Sequence, residues 1–206
     1  MTQNNEDSDE LKVILVGEPG TGKTSLINVA IGEKFEENRD STLISTYVQK
    51  TIKIDNKEYV LNIWDTAGQE KFRAMTKIFI KNSKIVIFVY AINNIESLKG
   101  LKEYWINMIK DSLGDEPILG MVGNKNDLYQ EEAIKEEEAR KFATENGLAF
   151  TLTSAKDNPF GFVEFLGTLL EKYLTKKGVV IKKEQKDTIN IVPGNNNIRK
   201  EKKCCK

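Results

Sequence analysis

Six short apolar runs rich in β-branched residues alternate with longer segments of helical spacing along this 206-residue chain. Strands are predicted at residues 11–16, 48–54, 58–64, 84–90, 117–122 and 148–152. Helices are predicted at residues 25–31, 95–110, 133–146 and 159–175, with Gly147 capping the third. This alternation predicts an α/β fold in which a mostly parallel sheet carries helices on both faces. In such sheets a ligand binds beyond the carboxyl ends of the strands.

The second and third strands flank Asp55-Asn56-Lys57, a short turn that predicts a hairpin and therefore one antiparallel pair.

No apolar run approaches the roughly 18 residues that suggest a membrane span. The polar, acidic first ten residues are no signal peptide, and Thr2 in place of glycine excludes N-myristoylation.

The formal net charge of zero hides a gradient. Residues 1–10 carry four acids and no base, whereas residues 176–206 carry a net charge of +7. We expect an acidic disordered N-terminus (1–10), one folded domain (11–175) and a flexible basic tail (176–206). The near-neutral body argues against binding to nucleic acid, and the tail suits an anionic membrane surface.

Imidazole chemistry is excluded because the chain has no histidine. Its only two cysteines are Cys204 and Cys205, next to the C-terminus, so a disulfide-stapled fold is impossible and a cytoplasmic protein is expected.

The first motif is GEPGTGKT at residues 17–24, which follows a predicted strand and opens a predicted helix. This is the context in which G-x-x-x-x-G-K-[ST] binds phosphate, because glycines let backbone N–H groups converge at a helix N-terminus. Lys23 can reach the β- and γ-phosphates and the Thr24 hydroxyl can bind Mg²⁺. A chance glycine-rich turn is the alternative, which the flanking strand and helix disfavour.

The second motif is DTAGQE at residues 65–70, again directly after a strand. Asp65 can hold Mg²⁺ through water, Gly68 can approach a γ-phosphate with its N–H, and Gln69 can orient an attacking water. Alone this segment is an ordinary turn; its place after a strand, downstream of the phosphate loop, favours function.

Two further polar motifs follow the last two strands. NKND at residues 124–127 places Asp127 where a carboxylate accepts two hydrogen bonds from guanine, a pair that adenine cannot donate. TSAK at residues 153–156 offers a backbone N–H to the guanine carbonyl. Each is weak by itself, since polar turns of this kind are common.

The four motifs, in this order at four strand ends, resemble those of the Ras superfamily of small GTPases over residues 11–175. The segment WDTAGQEKFR at residues 64–73 resembles the Rab branch most. Ser41-Thr42 also lies at the Rab spacing after Lys23, and 26 residues between Asp127 and Ser154 leave no room for the Rho insert.

The resemblance implies a P-loop NTPase fold with a six-stranded sheet. It implies a switch that binds GTP or GDP with Mg²⁺, hydrolyses GTP slowly and recruits effectors in the GTP state to regulate vesicle-mediated membrane traffic. The implied catalytic residues are Lys23, Thr42, Gly68 and Gln69, and the implied metal ligands are Thr24, Thr42 and, through water, Asp65. The implied nucleotide-binding residues are Gly17, Gly20, Thr21, Gly22, Lys23, Thr24, Ser25, Phe35, Thr42, Gly68, Asn124, Lys125, Asp127, Ser154, Ala155 and Lys156.

The resemblance also implies partners. Tyr47, Trp64 and Phe79 fall on the aromatic triad that Rab effectors contact; the alternative is that they are core aromatics. An exchange factor, an activating protein and a dissociation inhibitor or escort protein are implied as well.

The Cys204-Cys205 pair resembles doubly geranylgeranylated tails, which would anchor the protein reversibly to the cytosolic face of an endomembrane. Two free thiols are the alternative.

Several residues depart from the Rab pattern. Pro19 lacks an N–H beside the γ-phosphate, which predicts an altered hydrolysis rate. Residues 43–46 and Ala91 also differ, which leaves the set of effectors open.

Two other functions are compatible with a phosphate-binding loop, a nucleotide-binding module with negligible turnover and an ATP-dependent P-loop enzyme. Intact Gln69, Thr42 and Asp65 argue against the first, and Asp127 argues against the second.

Overall fold

The six strands form one sheet in the order β2-β3-β1-β4-β5-β6. This computed structural model describes residues 10–37, 46–66 and 77–181. β2 is antiparallel to β3 and every other neighbouring pair is parallel, which confirms the predicted architecture. The strands are β1 (Glu10–Val16), β2 (Thr46–Ile54), β3 (Lys57–Asp65), β4 (Ile85–Ala91), β5 (Ile118–Asn124) and β6 (Ala149–Leu152).

Helices lie between the strands and after the last strand. They are α1 (Lys23–Ala30), α2 (Ile95–Gly100), α3 (Ile106–Leu113), α4 (Glu136–Glu145) and α5 (Pro159–Lys176). A π-helical turn, Leu101–Trp105, joins α2 to α3, so the predicted helix over residues 95–110 is continuous in direction but not in hydrogen-bond pattern. A 3₁₀ segment, Asn126–Glu131, was not predicted because it is too short and polar to show apolar periodicity.

The third predicted helix begins later than expected. Ala133 and Ile134 both donate backbone hydrogen bonds to the Ile92 carbonyl, and this holds the segment against the chain that follows β4. Helix α4 therefore starts at Glu136 rather than 133. Its predicted C-terminal glycine is confirmed, since Gly147 has φ 69° and its N–H bonds to the Thr144 carbonyl.

Alternate residues of the central strands supply two separate cores. On β1, Val13 and Leu15 face the cluster that includes α1 and α5, whereas Ile14 and Val16 face the cluster that includes α2, α3 and α4. Side chains of a strand point alternately to its two faces, so a fully apolar strand requires cover on both. The helices on both faces that the sequence predicted are thereby confirmed.

The sheet order puts the carboxyl ends of β1, β3, β4, β5 and β6 along one edge. Connections from β1 and β3 leave toward opposite directions in the sheet order, which creates the crevice where ligands bind in open α/β sheets. Within the described residues, no helix is both long and apolar enough to span a bilayer.

Candidate functional site

The loop after β1 is shaped by glycines that no other residue could replace without strain. Gly17 has φ 149°, and a Cβ there would lie 2.2 Å from the Val89 carbonyl oxygen of β4. Gly22 has φ 89°, and a Cβ there would lie 2.3 Å from Asn124 Nδ2. Gly20 lies in the turn between them, and α1 begins one residue after Gly22. The loop therefore wraps closely onto β4 and β5, with backbone N–H groups at the start of a helix.

Lys23 is buried inside this loop. Its Nζ donates hydrogen bonds to the carbonyl oxygens of Gly17 (2.9 Å) and Glu18 (3.0 Å). Burial lowers the pKa of its ammonium group to about 8, against the opposing effect of the nearby Asp65 and Glu18 carboxylates. A desolvated cation held by carbonyl oxygens gains electrostatic energy when a more strongly negative ligand reaches it.

A hydroxyl and a carboxylate meet beside Lys23. Thr24, in the first turn of α1, donates from Oγ1 to Asp65 Oδ2 at 2.6 Å. Asp65 ends β3, and the next residue, Thr66, is fully buried and donates from Oγ1 to the Leu15 carbonyl oxygen at 2.7 Å. The side chain of Thr66 thus fixes the end of β3 against β1 and holds the carboxylate in position.

One amide joins three loops. Asn124, at the end of β5, donates from Nδ2 to the Thr21 carbonyl oxygen (2.8 Å) in the loop after β1. Its Oδ1 accepts from the Ala155 N–H (3.2 Å) in the loop after β6. Both contacts are buried, so the amide fixes the distance between the phosphate loop and the loops at the other end of the site.

The loops after β5 and β6 are also tied directly. Ser154 Oγ donates to Asp127 Oδ1 at 2.6 Å and accepts from the N–H groups of Lys156 and Asp157. The Asn126 N–H donates to the Thr153 carbonyl oxygen. The structure therefore brings Asp127, Ser154 and Ala155 together, and Asn124 links this group to the phosphate loop.

Four other predicted residues lie around the same loops. Lys125 adopts the left-handed conformation with φ 65°, a strained backbone for a residue with a long side chain. Lys156 Nζ pairs with Glu37 at 3.3 Å on the surface. Ser25 lies in the first turn of α1. Phe35 is half-buried and packs against the cluster of α1 and α5; its stacking on guanine stays a prediction.

The predicted effector triad forms one aromatic row. The Tyr47 and Trp64 rings stack with centroids 5.1 Å apart, and Trp64 and Phe79 lie 5.6 Å apart. Lys12 Nζ lies 4.7 Å from the centre of the Trp64 ring. Tyr47 is 53% exposed, so the row reaches the surface and is not simply core. The role of this row in binding effector proteins stays a prediction.

Five predicted residues lie outside the described part of the chain. They are Thr42, Gly68, Gln69, Cys204 and Cys205.

Sequence reasoning missed three residues that build the site. Thr66 belongs to the DTAGQE motif, but the motif assigns no role to its side chain, and its buried hydrogen bond to the Leu15 carbonyl oxygen leaves no local sequence signal. Glu18 and Trp105 were not paired at all, yet Trp105 Nε1 donates to Glu18 Oε1 at 2.9 Å. No local pattern connects residues that are 87 positions apart.

Fold and loop geometry together define the class: a P-loop nucleotide-binding protein of the α/β type. Comparison with known proteins identifies the family within this class. The family model "Ras family" matches residues 12–173. A Geodia cydonium protein described as "Ras-related protein Rab-21" is 37% identical over 163 residues, which are 79% of this chain and 70% of the relative. A Nicotiana tabacum "Ras-related protein Rab5" is 33% identical over 156 residues, 76% of this chain and 78% of the relative.

The chain therefore belongs to the Ras family, in its Rab branch of small GTPases. It binds GTP and GDP, hydrolyses GTP, switches between two nucleotide states and takes part in vesicle-mediated transport. Effectors, exchange factors and activating proteins are its general classes of partner. The two alternatives considered from the sequence, a module without turnover and an ATP-dependent enzyme, do not fit this membership.

Proposed function

We propose that the loops after β1, β3, β5 and β6 hold one guanine nucleotide and one Mg²⁺, in the roles that the sequence motifs predicted. The Asn124 bridge is the observation that supports this most, because it joins the phosphate end of the site to the purine end through two buried hydrogen bonds. A single ligand that spans both ends would need that spacing to be fixed.

At the phosphate end, the loop from Gly17 to Ser25 surrounds the phosphates with backbone N–H groups. Lys23 leaves the Gly17 and Glu18 carbonyl oxygens and neutralises charge that develops on the β- and γ-phosphates. A phosphate close by would also offset the burial that lowers its pKa, so Lys23 stays charged in the loaded protein.

Thr24 and Asp65 fit a magnesium ion. Mg²⁺ is bound in proteins by one or two carboxylates together with water and substrate phosphates, and here a hydroxyl and a carboxylate oxygen already lie 2.6 Å apart beside the loop. Thr24 would hold the ion directly and Asp65 through water, with Thr42 as the second protein ligand. When bound, the ion would supply positive charge that offsets the negative charge of the phosphates.

Gln69 orients the attacking water, and Thr42 and Gly68 meet the γ-phosphate. Ordering of the loops that carry them distinguishes the GTP state from the GDP state. No arginine within the motifs serves as a finger in cis. We therefore expect slow turnover by the protein alone and acceleration by an activating protein that supplies charge in trans.

At the purine end, Asp127 accepts from the two N–H groups of guanine, and the Ala155 N–H faces the guanine carbonyl. Ser154 keeps the Asp127 carboxylate oriented through its 2.6 Å hydrogen bond. Lys125, Lys156 and Phe35 border the base.

Effector binding through Tyr47, Trp64 and Phe79, recognition by a dissociation inhibitor or escort protein, and anchoring through lipidated Cys204 and Cys205 complete the proposal. The basic tail would add its attraction for anionic lipids, since two anchoring signals hold a protein stably where one does not. The expected location is the cytosolic face of an endomembrane.

The test is the purine preference of Asp127→Asn. An asparagine presents an N–H toward the guanine amino group, so we expect GDP affinity to fall by roughly a hundredfold or more. Xanthosine diphosphate, which has a carbonyl in place of that amino group, should bind the variant better than the wild type. Asp157→Asn is the matched control and should bind GDP as the wild type does. Equal GDP affinity in the Asp127 variant would refute the assigned purine end.

A further inference from the structure

The phosphate loop contains an acidic residue, Glu18, directly after its first glycine. Like charges repel, so a carboxylate that faced the phosphates would weaken binding of the nucleotide. It would also compete for Lys23, whose pKa the Glu18 charge already raises against the effect of burial. Something must therefore keep this side chain away from the ligand.

Trp105 holds it. The indole Nε1 donates a hydrogen bond to Glu18 Oε1 at 2.9 Å, from a ring that is completely buried in the second core cluster. Trp105 ends the π-helical turn between α2 and α3. Single π-helical turns inside helices occur frequently at functional sites.

Gly100 makes the necessary room. A Cβ at this position would lie 2.5 Å from Glu18 Oε1, 2.6 Å from its Cγ and 2.8 Å from its Cδ. Glycine is unfavourable inside a helix by about 1 kcal/mol relative to alanine, and φ is not positive here, so the backbone does not demand it. Instead, the Glu18 carboxylate requires the space that a Cβ at position 100 would fill.

We propose that Trp105 and Gly100 are positioning residues that hold the Glu18 carboxylate against the helix and away from the bound phosphates. Lys23 and the backbone N–H groups of the loop then meet the ligand with less competition from this acid. This inference rests on the proposed guanine-nucleotide site and names two further residues that determine its affinity.

The test compares Gly100→Ala and Trp105→Phe, each alone and combined with Glu18→Gln, by the rate at which bound GDP dissociates. Trp105→Phe removes the indole hydrogen bond and Gly100→Ala fills the space that the carboxylate occupies, so we expect release about tenfold faster in each, as for loss of one hydrogen bond to a charged group. Glu18→Gln removes the charge and should restore slow release in both backgrounds. High salt should narrow the difference between the single variants and the wild type, because it screens the repulsion.

Gly167→Ala is the matched control, since it adds the same methyl group to a helix where nothing lies within 4 Å. If Trp105→Phe fails to fold, Gly100→Ala still decides. Unchanged release in Gly100→Ala, or fast release that Glu18→Gln does not restore, would overturn the inference. Wild-type protein that retains no guanine nucleotide would instead refute the site itself.

Discussion

Lys23 shows how a single residue couples the stability of the domain to its ligand. Its ammonium group is buried among carbonyl oxygens, and burial lowers its pKa to about 8. Between that value and the ordinary value of 10.5, the unfolded chain holds a proton that the folded protein has released. Stability therefore rises with pH in this window.

The prediction compares the wild type with Lys23→Met, both free of nucleotide and in EDTA. The free energy of unfolding of the wild type should rise relative to the variant by up to about 3 kcal/mol between pH 8 and 10.5. Urea denaturation at several pH values measures this. Bound GTP should suppress the rise, because phosphates keep the lysine charged, and Lys141→Met on the exposed side of α4 should show no such rise.

Tyr90 carries a buried hydroxyl that has no hydrogen-bond partner in the part of the chain that the structure describes. Its ring is fully buried on β4, and no residue in the described ranges bonds its hydroxyl. Burial raises its pKa, with a smaller contribution from the acids around α4. Since an unsatisfied buried hydroxyl costs free energy, Tyr90→Phe should stabilise the protein by about 1 kcal/mol. A clear loss of stability in thermal or urea denaturation would contradict this.

At the scale of elements, the sequence predicts the strands better than the helix boundaries. A strand such as β4 consists of aliphatic and aromatic residues, so its burial on both faces is evident from composition. The start of α4 depends instead on backbone bonds to the Ile92 carbonyl, and the π-helical turn depends on packing around Trp105. Neither leaves a periodic signal.

The candidate site also has residues that the sequence predicts and contacts that it does not predict. Lys23, Thr24, Asp65 and Asp127 belong to motifs at or just beyond the ends of β1, β3 and β5 and are therefore predictable from the sequence. The Asn124 bridge, the Thr66 bond and the Glu18–Trp105 contact join residues between 31 and 103 positions apart. Such contacts follow only from the sheet order, which the motifs alone do not give.

The contact between β1 and β3 that Thr66 makes can be tested. Thr66→Val keeps the shape but removes the buried hydroxyl, so we expect a loss of about 1–2 kcal/mol in the free energy of unfolding. Because Asp65 is next in the chain, nucleotide retention should also need more Mg²⁺ than in the wild type. Thr151→Val on β6, where the hydroxyl donates a long 3.4 Å hydrogen bond to the Leu152 carbonyl oxygen, serves as control.

At the scale of the whole molecule, the nucleotide loops and the aromatic row are built on the same strand. β3 carries Trp64 in that row and Asp65 beside the phosphate loop, in adjacent positions. A shift of the strand end that accompanies a change of nucleotide would therefore reach the aromatic row, the proposed effector surface, through one peptide unit. This proximity fits a switch whose partners prefer one nucleotide state.

The proposed membrane residence is tested on the whole molecule, because the proposed anchor, Cys204 and Cys205, lies far along the chain from the nucleotide site. Replacing both terminal cysteines, Cys204→Ser with Cys205→Ser, should move the protein from the membrane fraction to the soluble fraction without changing GDP affinity. One remaining cysteine should give an intermediate result, since a single lipid anchors weakly. Unchanged fractionation of the double variant would refute lipid anchoring.

The chain has two tryptophans, and the fold places them in very different surroundings. Trp64 is half-buried and stacked on an exposed tyrosine, whereas Trp105 is sealed in the core with its N–H bonded to a carboxylate. Their emission spectra should differ accordingly. The protein thus carries two intrinsic optical reporters, one for events at its surface and one for events behind the phosphate loop.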